Sequence, residues 1–148
     1  MHAIEPVYID TSVLLKWLLI EPYTHEVVTF FNQNNYLVLS ELTLLEASCA
    51  LRRNERNGAI SAAYRLQAEK VLAQQLQGEW FQLTPTSLQV FKEAKLLIES
   101  IAPLSLRSLD AMHLTIAKKA NIKRLATADK EVLVAAQALN FTTEYFND

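Results

Sequence analysis

The feature that most constrains the fold is an apolar run that is typical of a strand before Asp10 and of a helix after Ser12. Residues 7–10 are typical of a buried strand, and residues 13–20 indicate a short helix, with Asp10, Thr11 and Ser12 at the junction. A strand that passes directly into a helix places the junction at the carboxyl edge of a sheet, where open α/β folds bind ligands. Any of the three residues could instead cap the helix, so Asp10 has both a capping and a ligand-binding interpretation.

The same alternation of strand and helix continues along the chain. Further strands are predicted at 37–39, 80–83, 124–127 and 142–146. Further helices are predicted from Thr24 and at 43–57, 61–77, 88–100, 106–120 and 130–139. This order predicts an α/β fold, a three-layer α/β/α sandwich around a central, mostly parallel five-stranded sheet. With two glycines and four prolines there is no flexible linker, so residues 1–148 are expected to form a single domain.

Composition restricts the function classes. A hydrophobic fraction of 51% with 20% charged residues is typical of a globular protein. The net charge of −2 gives no overall attraction to nucleic acid, so such binding would need a local basic patch. The single Cys49 fits a reducing, cytoplasmic location, and its helical spacing from Leu42 and Leu45 predicts a buried thiol. Lys16 interrupts the longest apolar run, so no membrane span is expected.

Four acidic residues follow strands or begin helices. Asp10 follows the first strand, Glu46 lies in the first turn of the helix after the second, Asp110 lies near the start of the helix before the fourth, and Asp129 follows the fourth. Two carboxylates ~5 Å apart repel by about 3 kcal/mol at an effective dielectric of about 20. A cluster of them therefore calls for protons or a cation. Carboxylate oxygens suit Mg²⁺ or Mn²⁺, which can activate water for phosphoryl chemistry.

Each acidic residue also has an ordinary structural interpretation. Thr43-x-x-Glu46 matches a capping box, in which Glu46 would only satisfy a backbone N–H. Asp110 could complement a helix dipole, and Asp129 could cap the helix that starts at Lys130.

His113 lies three residues after Asp110, on the same face of the predicted helix. That spacing could suit a zinc or iron site. Because His2 and His25 are in unrelated segments, a packing or hydrogen-bonding role for His113 is favoured.

Two basic features have two interpretations each. Arg52, Arg53 and Arg56 are ordinarily a solvated helix face, but the run starts under two turns after Glu46 and could hold a phosphate backbone. Lys16, one turn into the first helix, could do the same.

Four segments of the chain carry a family resemblance. They are Tyr8-Ile9-Asp10-Thr11-Ser12-Val13-Leu14, Ser40-Glu41-Leu42-Thr43-Leu44-Leu45-Glu46-Ala47, Leu109-Asp110-Ala111-Met112-His113-Leu114 and Leu125-Ala126-Thr127-Ala128-Asp129-Lys130. In this order they resemble the motifs of PIN domains, most of all the VapC-type ribonuclease toxins of bacterial toxin–antitoxin pairs. Asn121 and Asn140 stand where the family often has Gly, and Asn tolerates the left-handed conformation.

The resemblance implies a Mg²⁺ or Mn²⁺ site for hydrolysis of single-stranded RNA. Its acidic residues would be Asp10, Glu46, Asp110 and Asp129, with Ser12 and Thr127 as hydroxyls that orient a carboxylate or a water. Attack by water would leave a 3′-hydroxyl and a 5′-phosphate. The resemblance also implies a homodimer and a small antitoxin partner, for which some apolar residues at 17–19 and 30–31 could be exposed, although core is their default place.

Other functions remain open from the sequence. Haloacid-dehalogenase phosphatases use an Asp-x-Asp pair after the first strand, but Ser12 stands at the second position. Phospho-receiver domains want an acidic pair there, which Asp10-Thr11 does not supply. A third alternative is a non-catalytic PIN-like scaffold that binds RNA or protein, although all four acidic positions are kept.

Overall fold

The structure is a computed structural model that describes residues 4–148. Its strands are β1 (Val7–Ile9), β2 (Leu37–Ser40), β3 (Phe81–Thr84), β4 (Arg124–Thr127) and β5 (Thr142–Tyr145). Its helices are α1 (Thr11–Leu18), α2 (Thr24–Gln33), α3 (Glu41–Arg56), α4 (Ala62–Gln77), α5 (Val90–Ser100), α6 (Ser108–Lys119) and α7 (Lys130–Ala138). The strands form one sheet in the order β3-β2-β1-β4-β5, and all four pairings are parallel. The predicted α/β fold is confirmed. Residues 1–3 lie outside the described part, and the single domain over 1–148 stays a prediction.

Two apolar cores cover the two faces of the sheet. Successive side chains of a strand point to opposite faces, and β1 shows this directly. Val7 and Ile9 pack in the core that includes residues of α1 to α4, whereas Tyr8 packs in the core that includes residues of α5, α6 and α7. Both faces of the central strand are therefore buried, and the first charged side chain after it is Asp10, just beyond its carboxyl end.

The register between β1 and β4 fixes the position of that side chain. Ile9 is opposite Ala126, and the Asp10 N–H donates to the Ala126 carbonyl at 3.2 Å. The next position on β4 is Thr127, so Asp10 and Thr127 lie side by side at the carboxyl edge of the sheet. The first and fourth strands are therefore neighbours in the sheet.

Helix α3 begins at Glu41, two residues before the predicted start. Ser40 and Thr43 form a capping box, with the Thr43 N–H donating to the Ser40 hydroxyl at 3.4 Å and the Ser40 N–H donating to the Thr43 hydroxyl at 3.3 Å. The alternative capping box between Thr43 and Glu46 was wrong. Glu46 lies in the second turn of α3, not the first, and is free for other contacts.

The buried face of α3 differs from the predicted one. Cys49 is exposed, and so is Leu45, because α3 buries the face that carries Ala47, Ala50 and Leu51. The buried thiol was therefore a wrong prediction. In α6, Leu109 is also exposed.

The apolar residues considered for an interface belong mostly to the core. Leu18, Leu19 and Phe31 are buried, and Trp17 and Phe30 are partly buried against the same core. The larger exposed apolar side chains lie elsewhere, mainly at Leu45, Leu66, Leu83, Leu88, Phe91 and Leu96. No helix within residues 4–148 combines the length and the apolar character that crossing a bilayer requires.

Phe31 offers a test of this core. Its side chain is 0% exposed and stacks edge-to-face on Phe81 at 5.6 Å between ring centroids. Phe31→Ala should lower the free energy of unfolding by about 3–5 kcal/mol, because it removes apolar burial and leaves a cavity. Phe91→Ala, at a side chain that is 73% exposed, is the matched control and should change it by no more than about 0.5 kcal/mol. Denaturant unfolding measures both, and equal losses would contradict the described packing.

Candidate functional site

Asp10 is the most deeply buried of the predicted acidic residues. Its carboxylate accepts hydrogen bonds at Oδ1 from the Ser12 hydroxyl at 2.6 Å and the Val13 N–H at 3.1 Å, and at Oδ2 from the Thr127 hydroxyl at 2.5 Å. Asp10 is the N-cap of α1, so the predicted caps Thr11 and Ser12 were wrong. Ser12 instead links two elements, since its hydroxyl also accepts the Ala128 N–H at 2.9 Å. The capping interpretation of Asp10 is confirmed, and it leaves Oδ2 facing β4.

Asp129 divides its two oxygens in the same way. Its Oδ1 accepts the N–H groups of Glu131 and Val132 at 2.8 and 3.2 Å, as the predicted cap of α7. Its Oδ2 accepts a short hydrogen bond from Nη2 of Arg107. The Nε of the same guanidinium donates to Oδ2 of Asp110 at 3.0 Å. Arg107 therefore bridges two of the four predicted acids, which come from different helices.

Glu46 is the partly exposed end of a chain of polar side chains that is otherwise mostly buried. Its Oε1 accepts the Thr11 hydroxyl at 2.6 Å and contacts Nε2 of His113 at 2.5 Å. Nδ1 of His113 lies 2.6 Å from the Tyr8 hydroxyl, which lies 2.7 Å from the Ser40 hydroxyl. One neutral tautomer satisfies every bond: Nε2–H donates to Glu46, and Tyr8 donates to Nδ1 while accepting from Ser40. His113 is thus the hydrogen-bonding histidine that the sequence favoured.

These contacts join all four acids in one closed circuit. Asp10 contacts Thr127, whose hydroxyl accepts the Asp129 N–H at 3.0 Å. From Asp129 the circuit passes through Arg107 to Asp110, along one turn of α6 to His113, and on to Glu46. It closes at Thr11, the neighbour of Asp10. Within residues 4–148 no three of these carboxylates are grouped closely enough to share one ion, so a common site for all four stays a prediction.

The electrostatics of the four acids are uneven. Burial raises the pKa of Asp10 above its ordinary value in spite of three hydrogen bonds that lower it. Burial also raises the pKa of Asp110, and the charge of Asp129 adds to this against the lowering effect of Arg107. Burial acts the same way on Glu46, but its hydrogen bonds with His113 and Thr11 bring its pKa below the ordinary value. A further positive charge would therefore stabilise the ionised forms of Asp10 and Asp110.

Comparison with family models identifies the chain. The model described as "PIN domain" matches residues 7–138. The chain belongs to the PIN domain family. Residues 7–138 include every element from β1 to α7, and all four acids of the circuit lie within this PIN region. No relative was found among curated proteins.

Solved structures share the PIN fold at low sequence identity. VapC20 of Mycobacterium tuberculosis, described as a sarcin–ricin loop cleaving toxin, is 11% identical and superposes with a TM-score of 0.70, over 87% of this chain and 94% of that one. PAE2754 of Pyrobaculum aerophilum is 20% identical with a TM-score of 0.67, over 95% and 84%. The DNA-bound VapBC of Salmonella typhimurium is 13% identical with a TM-score of 0.67, over 96% and 98%. At these identities the likeness concerns the fold.

The chemistry of the PIN site fits a hard divalent cation, although the side chains do not enclose one. Within residues 4–148, no three or more His, Cys, Asp or Glu side chains are grouped closely enough to hold a metal ion by themselves. Mg²⁺ does not require such a group, since it usually keeps several waters and binds one or two carboxylates together with substrate phosphates. The Asp110–Asp129 pair, already bridged by a cationic group, offers that donor set.

The predicted basic contacts divide into two groups. Lys16 is 8% exposed, and its ammonium donates to the Pro22 carbonyl at 2.7 Å and lies 3.8 Å from Glu21. Lys16 thus stabilises the turn after α1, and the interpretation of Lys16 as a phosphate contact is corrected. Residues 52, 53 and 56 are exposed on α3. Arg53 lies two turns after Glu46 on the same side of the helix, as seven residues make almost two full turns.

Sequence reasoning missed three contributors to the site. Arg107 was not considered, although its position three residues before Asp110, at the start of a predicted helix, indicates an ion pair. Tyr8 was assigned to the strand alone, and Ser40 only to a strand end. The hydroxyl of a Tyr inside a buried strand needs a hydrogen-bond partner. That requirement could have predicted a buried polar partner for Tyr8. His2 lies outside the described residues, and His25 is exposed on α2.

The chain through Tyr8 yields a stability test. Tyr8→Phe keeps the ring and removes the hydroxyl that contacts His113 and Ser40, so two buried polar groups lose a partner. We expect the free energy of unfolding to fall by about 1–3 kcal/mol. Tyr145→Phe is the matched control, because that hydroxyl makes an exposed contact of 3.5 Å, and it should cost under about 0.5 kcal/mol. An equal effect of the two substitutions in denaturant unfolding would refute the buried chain.

Proposed function

We propose that this protein is a metal-dependent endoribonuclease that hydrolyses phosphodiester bonds in single-stranded RNA. The observation that carries the proposal is the set of four carboxylates near the carboxyl edge of a parallel sheet, which Thr127, Arg107, His113 and Thr11 connect. Open α/β folds bind ligands at this edge, and the chain is a member of the PIN family. Concentrated carboxylates with raised pKa values are typical of a functional site.

The residues divide the proposed chemistry between them. Bound Mg²⁺ or Mn²⁺ would activate the attacking water and stabilise charge on the leaving oxygen. Asp10, Asp110 and Asp129 would hold the ion directly or through waters, which compensates for the absence of three closely grouped side chains within residues 4–148. Ser12 and Thr127 orient the Asp10 carboxylate. Glu46, held by His113 and Thr11, would ligate the ion or position the water.

The proposed attack by water determines which chemical groups the RNA fragments carry at their ends. Direct attack by water uses neither a covalent intermediate nor the 2′-hydroxyl of the RNA. The expected fragments carry a 3′-hydroxyl and a 5′-phosphate. A phosphatase of the haloacid-dehalogenase type is disfavoured, because Ser12 donates its hydrogen to Asp10 and stands where the acid would be needed. The non-catalytic scaffold is disfavoured by the retention of all four carboxylates.

The RNA backbone needs positive charge near the carboxylates, since the chain as a whole is slightly acidic. Arg52, Arg53 and Arg56 are exposed along α3, beyond Glu46. We assign them to contacts with phosphates that flank the scissile bond.

Partner proteins form a second part of the proposal. The fold neighbour from Salmonella typhimurium is a DNA-bound VapBC, and a complex from Klebsiella pneumoniae is described as toxin–antitoxin. By analogy we propose an antitoxin partner, a homodimer and action in the cytoplasm. Exposed apolar side chains at Leu83, Leu88 and Phe91 supply surface for such contacts. Sedimentation at twice the mass of the chain would support the dimer.

Asp10→Asn is the most direct test. Cleavage of total cellular RNA with Mn²⁺ should fall on the order of 10²-fold or more, because a carboxylate that faces the ion is lost. The melting temperature in EDTA should not fall, because the substitution removes a buried charge and keeps the shape. Asp148→Asn, at the exposed end of the chain, is the matched control and should retain full cleavage.

Three outcomes would contradict the proposal. One is cleavage that persists in EDTA or in Asp10→Asn. Another is a 2′,3′-cyclic phosphate on the fragments, which would replace water attack by attack of the 2′-hydroxyl. The third is the absence of both RNA cleavage and calorimetric Mn²⁺ binding in the wild type, which would leave the four carboxylates as helix caps and ion-pair partners.

A further inference from the structure

Arg107 makes ion pairs with two carboxylates, although its side chain is largely exposed. Its pairing with Asp110, three residues later, is a common arrangement on a helix. The second pairing, with Asp129, reaches the residue that caps α7, 22 positions away in the sequence. The side chain of Arg107 is 68% exposed, whereas those of Asp110 and Asp129 are 17% and 25% exposed. A largely exposed cation thus contacts two mostly buried carboxylates.

The charge balance at this position is incomplete. One guanidinium carries a single positive charge and faces two carboxylates, each of which would repel the other without it. A divalent cation supplies twice that charge from a smaller volume and suits the same oxygens. Two nitrogens of one guanidinium, Nε and Nη2, contact the two carboxylates, so Asp110 and Asp129 already share a single cation.

We propose that Arg107 is a built-in counter-cation that a divalent ion must displace from Asp110 and Asp129, and that then pairs with an RNA phosphate. The inference rests on the proposed metal-dependent nuclease function and deepens it by naming a positioning residue. Because Arg107 is largely exposed, release from the carboxylates requires no unfolding of α6. The released guanidinium stays at the mouth of the site, where a phosphate replaces the two carboxylates as its anionic partner.

The proposal makes metal binding and RNA binding respond in opposite directions to one substitution. Arg107→Met should bind Mn²⁺ about three- to tenfold more tightly in calorimetry, because no internal cation competes for the carboxylates. The same variant should show a several-fold higher KM for RNA at saturating Mn²⁺, since one phosphate contact is lost. Arg107→Lys keeps the charge without the fork and should lie between the wild type and the Met variant in both measurements.

Lys119→Met is the matched control for the loss of one positive charge. Lys119 ends the same helix and pairs with Glu93 at 2.8 Å, away from the four acids. It should change neither the Mn²⁺ affinity nor KM. Thermal unfolding in EDTA checks that each variant is folded. Arg107→Met should gain more in melting temperature from Mn²⁺ than the wild type does, a response that does not depend on RNA.

The outcomes separate this proposal from the one on which it rests. Unchanged or weaker Mn²⁺ binding by Arg107→Met, beside a wild type that binds Mn²⁺ and cleaves RNA, overturns the counter-cation role alone. Tighter Mn²⁺ binding with an unchanged KM overturns the phosphate contact. A wild type that binds no Mn²⁺ and cleaves no RNA overturns the nuclease function and this inference together.

Discussion

The candidate site depends on a negative charge, the Asp10 carboxylate, at one edge of the sheet, where backbone groups alone do not compensate it. Asp10 follows a central strand that is buried on both faces, so its carboxylate has little access to water. Ionising it there is costly, as its raised pKa indicates. Hydroxyl and amide donors from α1 and β4 reduce the cost. The parallel order of the sheet supplies these donors, because it brings Thr127 beside Asp10.

The capping and site interpretations of these aspartates do not exclude each other. Asp10 and Asp129 each use Oδ1 for the N–H groups at the start of a helix and Oδ2 for a side chain on another element. Capping uses one oxygen of the carboxylate, and the hydrogen bond to the start of the helix fixes the rotamer of the side chain. The second oxygen then points in a direction that the helix determines. The sequence posed the two roles as alternatives because it cannot show how one carboxylate divides its two oxygens.

The succession of strands and helices along the chain and the positions of the motifs were predictable because they follow from local pattern, whereas the order of the strands in the sheet and the contacts between elements were not. The apolar runs and the breaks at Asn and Gly locate nearly every element, and Asn121 and Asn140 do take positive φ. The two-residue shift of α3, which moved Glu46 to the second turn, came from a competing cap at Ser40. Cys49 and Lys16 were misjudged because hydropathy and charge do not tell which face of a helix is covered.

The two sides of the circuit differ in a way that bears on its chemistry. On one side, Glu46 contacts His113, and His113 contacts Tyr8, so that the carboxylate is anchored to two buried side chains. On the other side, Arg107, whose side chain is mostly in water, contacts both Asp110 and Asp129, and Asp129 is held in addition by the N–H groups at the start of α7. A buried network that is fully satisfied is rigid, whereas an exposed ion pair exchanges partners at little cost. An incoming cation or phosphate would therefore rearrange the Arg107 side and leave the position of Glu46 unchanged.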